Sequence, residues 1–255
     1  MSMPLKAIQF IFLIILLCGL LGCAPGADSN RDEDRNGLTP AVVTSMPVTL
    51  RFESLSDDLK VDPAPAEPGE LSNVHTAYPL GGGELVLYGN GTDDADGLNG
   101  GLSIGYRSSA GEFTIGPIAY GGYEPTITES SLSGDMRMLR VEGICGANCP
   151  DTYYIAAKEG VPSVVLHIQA HIAEADPDGD GAVELLASSG TAIQTSVIEF
   201  DQGGVPQVAD VAAALAATSV AFDPDNGLFA AYTADTAETA HYRYDGIRLH
   251  RVPPG

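Results

Sequence analysis

A unit built of a Gly/Asp turn, a short apolar strand, a polar loop and a glycine-marked hairpin recurs along residues 81–246, and no other feature narrows the fold as much. Gly81-Gly82-Gly83 precedes Glu84-Leu85-Val86-Leu87-Tyr88, and Ser133-Gly134-Asp135 precedes Met138-Leu139-Arg140-Val141. Asp178-Gly179-Asp180-Gly181 then leads into Val183-Glu184-Leu185-Leu186, and Asp225-Asn226-Gly227 into Leu228-Phe229-Ala230-Ala231-Tyr232. The hairpins that follow read Ile104-Gly105-Tyr106 turning at Gly111, Tyr153-Tyr154-Ile155 at Gly160, Val197-Ile198-Glu199-Phe200 at Gly204, and Tyr242-Arg243-Tyr244 at Gly246. Hairpin glycines lie 49, 44 and 42 residues apart, while Gly83, Gly134, Gly181 and Gly227 lie 51, 47 and 46 apart. Two independent landmarks share one period.

Strands and turns at that spacing predict an all-β fold of propeller-like repeats, since a propeller blade is a small sheet of about four strands. Residues 47–80 are a candidate degenerate first unit, giving four or five units in all. A β-sandwich, which also has strands and Gly turns at regular intervals, stays open. One helix is expected, from about Val208 to Ala217, where Val211-Ala212-Ala213-Ala214-Leu215 has high helix propensity. It should fall in a connection between units.

The N-terminus sets the expected compartment. Lys6 precedes an apolar run, Ala7 to Leu21 broken only by Gln9, which has the length of a signal-peptide core rather than a bilayer span. The run ends Leu20-Leu21-Gly22-Cys23, which resembles the lipobox of bacterial lipoprotein precursors. The resemblance implies a signal peptide over residues 1–22, cleavage before Cys23, and acylation of Cys23 by palmitate-type chains. Two or three acyl chains hold a protein stably on a bilayer where one does not. Residues 23–46 then form a lipidated Cys and a disordered tether, polar and charged in composition. Residues 47–255 follow as a single all-β repeat domain, on the outer face of the cell membrane or the outer membrane.

Charge excludes one class of partner. The chain carries 12 Lys+Arg against 34 Asp+Glu, a formal charge of −22. Such a surface repels nucleic acid and attracts cations, so no nucleic-acid partner is expected. Of the 4 cysteines, Cys18 leaves with the signal and Cys23 takes the lipid. Cys145 and Cys149 remain, and in an oxidising compartment they are expected to form a short-range disulfide.

The chemistry-bearing segment is Asp176-Pro177-Asp178-Gly179-Asp180-Gly181-Ala182-Val183-Glu184. Carboxylates fall at loop positions 1, 3, 5 and 9, with Gly181 at the sharp bend and the carbonyl of Ala182 at position 7. A hard divalent cation wants about six to eight oxygens at roughly 2.3–2.6 Å, which a tight turn with alternate Asp residues supplies. Carboxylates converging without a cation repel: two like charges about 4 Å apart cost roughly 4 kcal/mol at an effective dielectric of 20. An EF-hand also needs a bidentate Glu at position 12, and that residue is Ala187. The stretch Asp176 to Gly190 is instead similar to the calcium loop of FG-GAP and VCBS-type propeller repeats. That resemblance implies calcium as the cofactor and Asp176, Asp178, Asp180 and Glu184 as side-chain ligands. The Phe-Gly that precedes the loop in that family is absent here. A second acidic cluster, Asp93 to Asp96, supplies only a partial ligand set.

His167 and His171 are spaced like helical metal ligands, but apolar residues alternate from Val164 to Ala173. That period predicts a strand with both histidines facing solvent. No Gly-x-Ser-x-Gly elbow, phosphate loop or nucleophile–base pairing stands out, so no enzymatic activity is expected. The expected function is a non-catalytic binding or surface module displayed on a lipid, with an unknown extracellular ligand or envelope partner. An envelope structural or assembly lipoprotein, and a glycan hydrolase or lyase, are the alternatives.

Overall fold

A computed structural model describes residues 46–55, 60–89, 101–120, 122–132, 137–146, 149–235 and 237–253. The signal segment, Cys23, nearly all of the tether, the Asp93–Asp96 cluster and the Ser133–Asp135 lead-in lie outside the described residues. Within the unit Thr44–Gly255 the fold is all-β.

The described chain begins with β1 (Val48–Thr49), β2 (Glu53–Ser54) and β3 (Ala64–Pro65), then a 3-10 turn over Glu70–Ser72. The first full meander is β4 (Val74–Leu80), β5 (Gly83–Gly89), β6 (Leu102–Ser108) and β7 (Gly111–Ala119). The second is β8 (Thr126–Glu129), β9 (Met138–Gly146), β10 (Cys149–Lys158) and β11 (Val161–Ile168). A third comprises β12 (His171–Ala175), β13 (Glu184–Ser189), β14 (Gln194–Phe200) and β15 (Pro206–Asp210). After helix α1 (Val211–Leu215) the fourth is β16 (Ser219–Asp223), β17 (Leu228–Thr233), β18 (Glu238–Tyr244) and β19 (Arg248–Val252). Each meander is one antiparallel sheet in sequence order, here called sheets 1 to 4.

The expected landmarks fall where the period put them. Gly160, Gly204 and Gly246 sit in the turn of the last hairpin of their sheet and Gly111 opens the strand just after its turn, each with positive φ. Helix α1 is shorter than expected because Pro206–Asp210 pairs with β14 instead of winding. Asp210 caps it by accepting the Ala213 N–H at 2.9 Å, and Ala216 ends it in the left-handed region.

Strand period decides the layering. In β10, Tyr153 and Ile155 enter a core shared with sheet 1, while Tyr154 and Ala156 enter one shared with sheet 3. In sheet 3, Leu185, Ala187 and Ile198 face sheet 2, and Leu186, Val197 and Ala209 face sheet 4. Strands buried on both faces read as continuous apolar runs, which is how Tyr153 to Ala157 reads. Polar ties cross each boundary. The Ser108 hydroxyl donates to the Gly160 carbonyl, Arg140 to that of Ile172, and the buried Thr195 hydroxyl to that of Val220, at 2.6, 2.7 and 2.7 Å. Among the described residues, none of the core clusters joins sheet 4 to sheet 1.

Residues 47–55 and 60–66 are not a fifth unit. They form a strap along the sheet edges. β1 adds to β19 of sheet 4, β2 to β15 of sheet 3, and β3 to β7 of sheet 1. Leu50 and Phe52 enter the core between sheets 3 and 4, Leu55 that between sheets 2 and 3, and Val61 that between sheets 1 and 2. Pro65 is tolerated because an edge strand can do without one donor.

The reading of Val164 to Ala173 as one strand needs correction. The chain bends at Gln169–Ala170, ending β11 in sheet 2 and starting β12 in sheet 3. His171 is exposed as expected, whereas His167 is not. Its side chain is 15% exposed, its Nε2 lies 2.7 Å from Asp151 Oδ1, and its ring stacks on Tyr153 at 4.0 Å. Asp151 and Tyr153 reach it from the neighbouring strand β10, a pairing that periodicity along one strand does not reveal.

Candidate metal centre

The loop between β12 and β13 is shaped by its own aspartates. Asp176 Oδ1 accepts the N–H groups of Gly179 and Asp180 at 2.7 and 3.1 Å, and its Oδ2 accepts that of Gly181 at 3.0 Å. Asp178 Oδ1 accepts the Asp180 N–H at 3.1 Å, and Asp180 Oδ1 that of Ala182 at 2.7 Å. Gly179 and Gly181 take positive φ, of 78° and 89°, which lets so few residues reverse the chain.

These bonds fold the chain so that Asp176, Asp178 and Glu184 each offer a carboxylate oxygen, all within 4.8 Å of one another. Two oxygens on opposite sides of a calcium ion would stand about 4.6–5.2 Å apart, so one ion can reach all three. Asp180, also expected as a ligand, is not in that group, and its Oδ1 is turned to the Ala182 amide. The Ala182 carbonyl is not placed at the shared centre by any contact.

Glu184 opens β13 and is 6% exposed, yet its Oε2 is buried with no hydrogen-bond partner. Burial, reinforced by repulsion from Asp178 and Asp180, pushes its carboxyl up to about 8. Burial also raises Asp178, helped by the charges of Asp180 and Asp176. A buried acceptor without a donor costs about 1–3 kcal/mol or more when charged. A cation at the three-carboxylate centre would remove that cost.

The loop has neighbours from another sheet. A Cβ on Gly246 would lie 2.7 Å from Asp178 Oδ2, and the residue's φ of 86° also favours glycine where the β18–β19 turn approaches the loop. The Tyr244 hydroxyl is 2.6 Å from Glu199 Oε1 and 2.7 Å from the Gly246 carbonyl. With one proton to give to two acceptors, it leaves one of them short unless Glu199 carries a proton itself. Glu199 is indeed raised, by burial first and then by Asp178 and Asp180. Asp178, Asp180, Glu199 and Gly246, with Glu184, border a cleft of about 820 Å³. The sequence carried one sign of Glu199: it is a lone carboxylate inside the apolar run Val197 to Phe200.

Cys145 and Cys149, which close the β9–β10 hairpin, are joined in a disulfide with Cα atoms 5.2 Å apart. Compared with known protein families, curated proteins and solved structures, the chain matches none.

Proposed function

We propose that this chain is a non-catalytic, lipid-anchored extracytoplasmic binding module whose propeller-like repeat is stiffened by calcium at Asp176, Asp178 and Glu184. The observation that carries the metal is the buried, partnerless Glu184 Oε2 beside two further carboxylates. A hard oxygen-only donor set suits calcium or magnesium, and the flexible geometry of a loop favours calcium. Asp180 and the Ala182 carbonyl are within reach of the same loop and would complete the set on binding. Without a bidentate twelfth-position Glu, affinity should be on the order of 10⁻⁴ M, as in extracellular modules.

Support for the propeller-like reading comes from four consecutive up-and-down sheets, each sharing a core with the next, and from β1 pairing beside the last strand β19. Support for the lipid anchor is the Leu20-Leu21-Gly22-Cys23 motif alone. The Asp151–His167 pair gives no ground for an enzyme, since the partners of the imidazole are Asp151 and the Tyr153 ring rather than a nucleophile.

Calorimetric titration of calcium into the chelator-treated protein tests the metal. Saturable heat and a raised melting temperature at millimolar calcium are expected, both lost in Asp178→Ala. An identical response in that variant, or none in the parent, refutes the site. Incorporation of labelled palmitate, abolished by Cys23→Ala, tests the anchor.

A further inference from the structure

The cleft beside the metal loop lies where sheets 2, 3 and 4 meet, and its lining combines apolar and acidic side chains. Sheet 2 contributes Met138 and Val165, with Leu132 just ahead of β9. Phe200, at the end of β14, extends that apolar surface. The β12–β13 loop, sheet 3 and the β18–β19 turn contribute Asp178, Asp180, Glu184, Glu199 and Asp245. Among the described residues, no Lys, Arg or His lines the cleft.

The carboxylates are not equally answered. Asp245 accepts from the amides of Ile247 and Arg248 and lies 2.6 Å from His250 Nε2. Asp180 is bonded to the Ala182 amide. Glu184 lines this cleft and its buried Oε2 has no donor, and Glu199 competes with a carbonyl for the single Tyr244 proton. Carboxyl oxygens short of a donor therefore collect at Glu184 and Glu199, in a cleft that the apolar side chains also line. At about 820 Å³ the space is that of a small-molecule site, for which volumes of about 300–1,000 Å³ are usual.

We propose that this cleft binds an organic cation with an apolar body: an ammonium or guanidinium group between Glu184 and Glu199, with its carbon skeleton against Phe200, Val165 and Met138. Such a head group supplies the missing donors, and the body displaces water from apolar surface. The inference rests on the binding-module reading above but needs no metal in the loop. Loss of one carboxylate ligand to an ion leaves Glu199 in place. The same chemistry is offered by a free aryl or alkyl amine and by a Lys or Arg side chain flanked by apolar residues.

The test is calorimetric titration of the full chain in chelator with 4-phenylbutylammonium, 4-phenylbutanol, 4-phenylbutyrate and acetyl-Leu-Lys-Leu-amide. The ammonium compound should bind at least tenfold tighter than the alcohol, and the butyrate should not bind. Glu199→Gln and Phe200→Ala should each weaken the cation about tenfold while leaving the calcium response unchanged; Gln keeps an acceptor for Tyr244, so the fold is retained. Tighter binding of the peptide assigns the cation to a protein partner, and tighter binding of the small amine assigns it to a free ligand. Equal affinity for butyrate and ammonium, no effect of both substitutions, or failure of both cations overturns the proposal. Cation binding without any calcium response removes the metal reading and leaves this one standing, whereas a calcium response without cation binding removes this one alone.

Discussion

Replacing Glu184 by Gln should make the cation-free protein more stable, although it removes a proposed metal ligand. The carboxyl of Glu184 is raised to about 8 by burial and by its acidic neighbours, against an ordinary value near 4.5. The folded state therefore holds a proton that the unfolded chain has released, and stability falls as pH rises from about 4.5 to 8. At about 1.4 kcal/mol per pH unit, the cost is roughly 3 kcal/mol at pH 7 and about 4 kcal/mol at pH 8. Gln has the same shape and no charge, so it escapes this cost. For a domain of this size, about 3 kcal/mol corresponds to a rise in melting temperature of roughly 6–12 °C. Scanning calorimetry in chelator at pH 7 should show that rise, shrinking to near zero at about pH 3.5, where the parent side chain is protonated when folded and largely so when unfolded. Millimolar calcium should reverse the order, stabilising the parent and not the variant. A variant that melts at or below the parent in chelator at pH 7 would refute the claim that this buried charge is unanswered.

Further outcomes follow from other contacts. Burial would raise the Glu174 carboxyl, but hydrogen bonds from Ser131, Ser130 and Tyr154 outweigh it and hold the group below its ordinary value. Its stabilisation is present above the unfolded value and lost as pH falls through the folded one, so Glu174→Gln should cost about 1–3 kcal/mol in urea unfolding at pH 7 and progressively less as the pH falls below the unfolded value. Leu185 is fully buried between sheets 2 and 3, and Leu185→Ala should cost about 2–5 kcal/mol in the same assay. Gly143→Ala would place a methyl against the Ile118 backbone carbonyl, where β9 meets sheet 1; a loss of about 1–3 kcal/mol is expected, and a neutral result would contradict that close approach.

The fold class and repeat spacing were legible because turn glycines and period-two strands are local signals. Gly111, Gly160, Gly204 and Gly246 mark hairpins whatever surrounds them. The loop at Asp176 was legible for the same reason, since its bonds join residues at most five apart. What the sequence hides is contact across sheets. Tyr244 and Gly246 meet the loop only because sheets 3 and 4 pack together, Glu199 comes near it only because β14 pairs with β13, and Asp151 meets His167 only through strand pairing. The strap escaped notice because each of its strands is two residues long, too short for any period to show.

That strap bears on how the molecule would take load. Tension applied ahead of residue 46 reaches the β1–β19 pairing first, then β2–β15, then β3–β7, and withdraws Leu50, Leu55 and Val61 from three separate cores in turn. Each step breaks only a short ladder and extracts one or two side chains, so extension would be yielded in small instalments while the four meanders keep their own hydrogen bonds. A protein held from that end would behave as a shock absorber before it behaved as an unfolding chain.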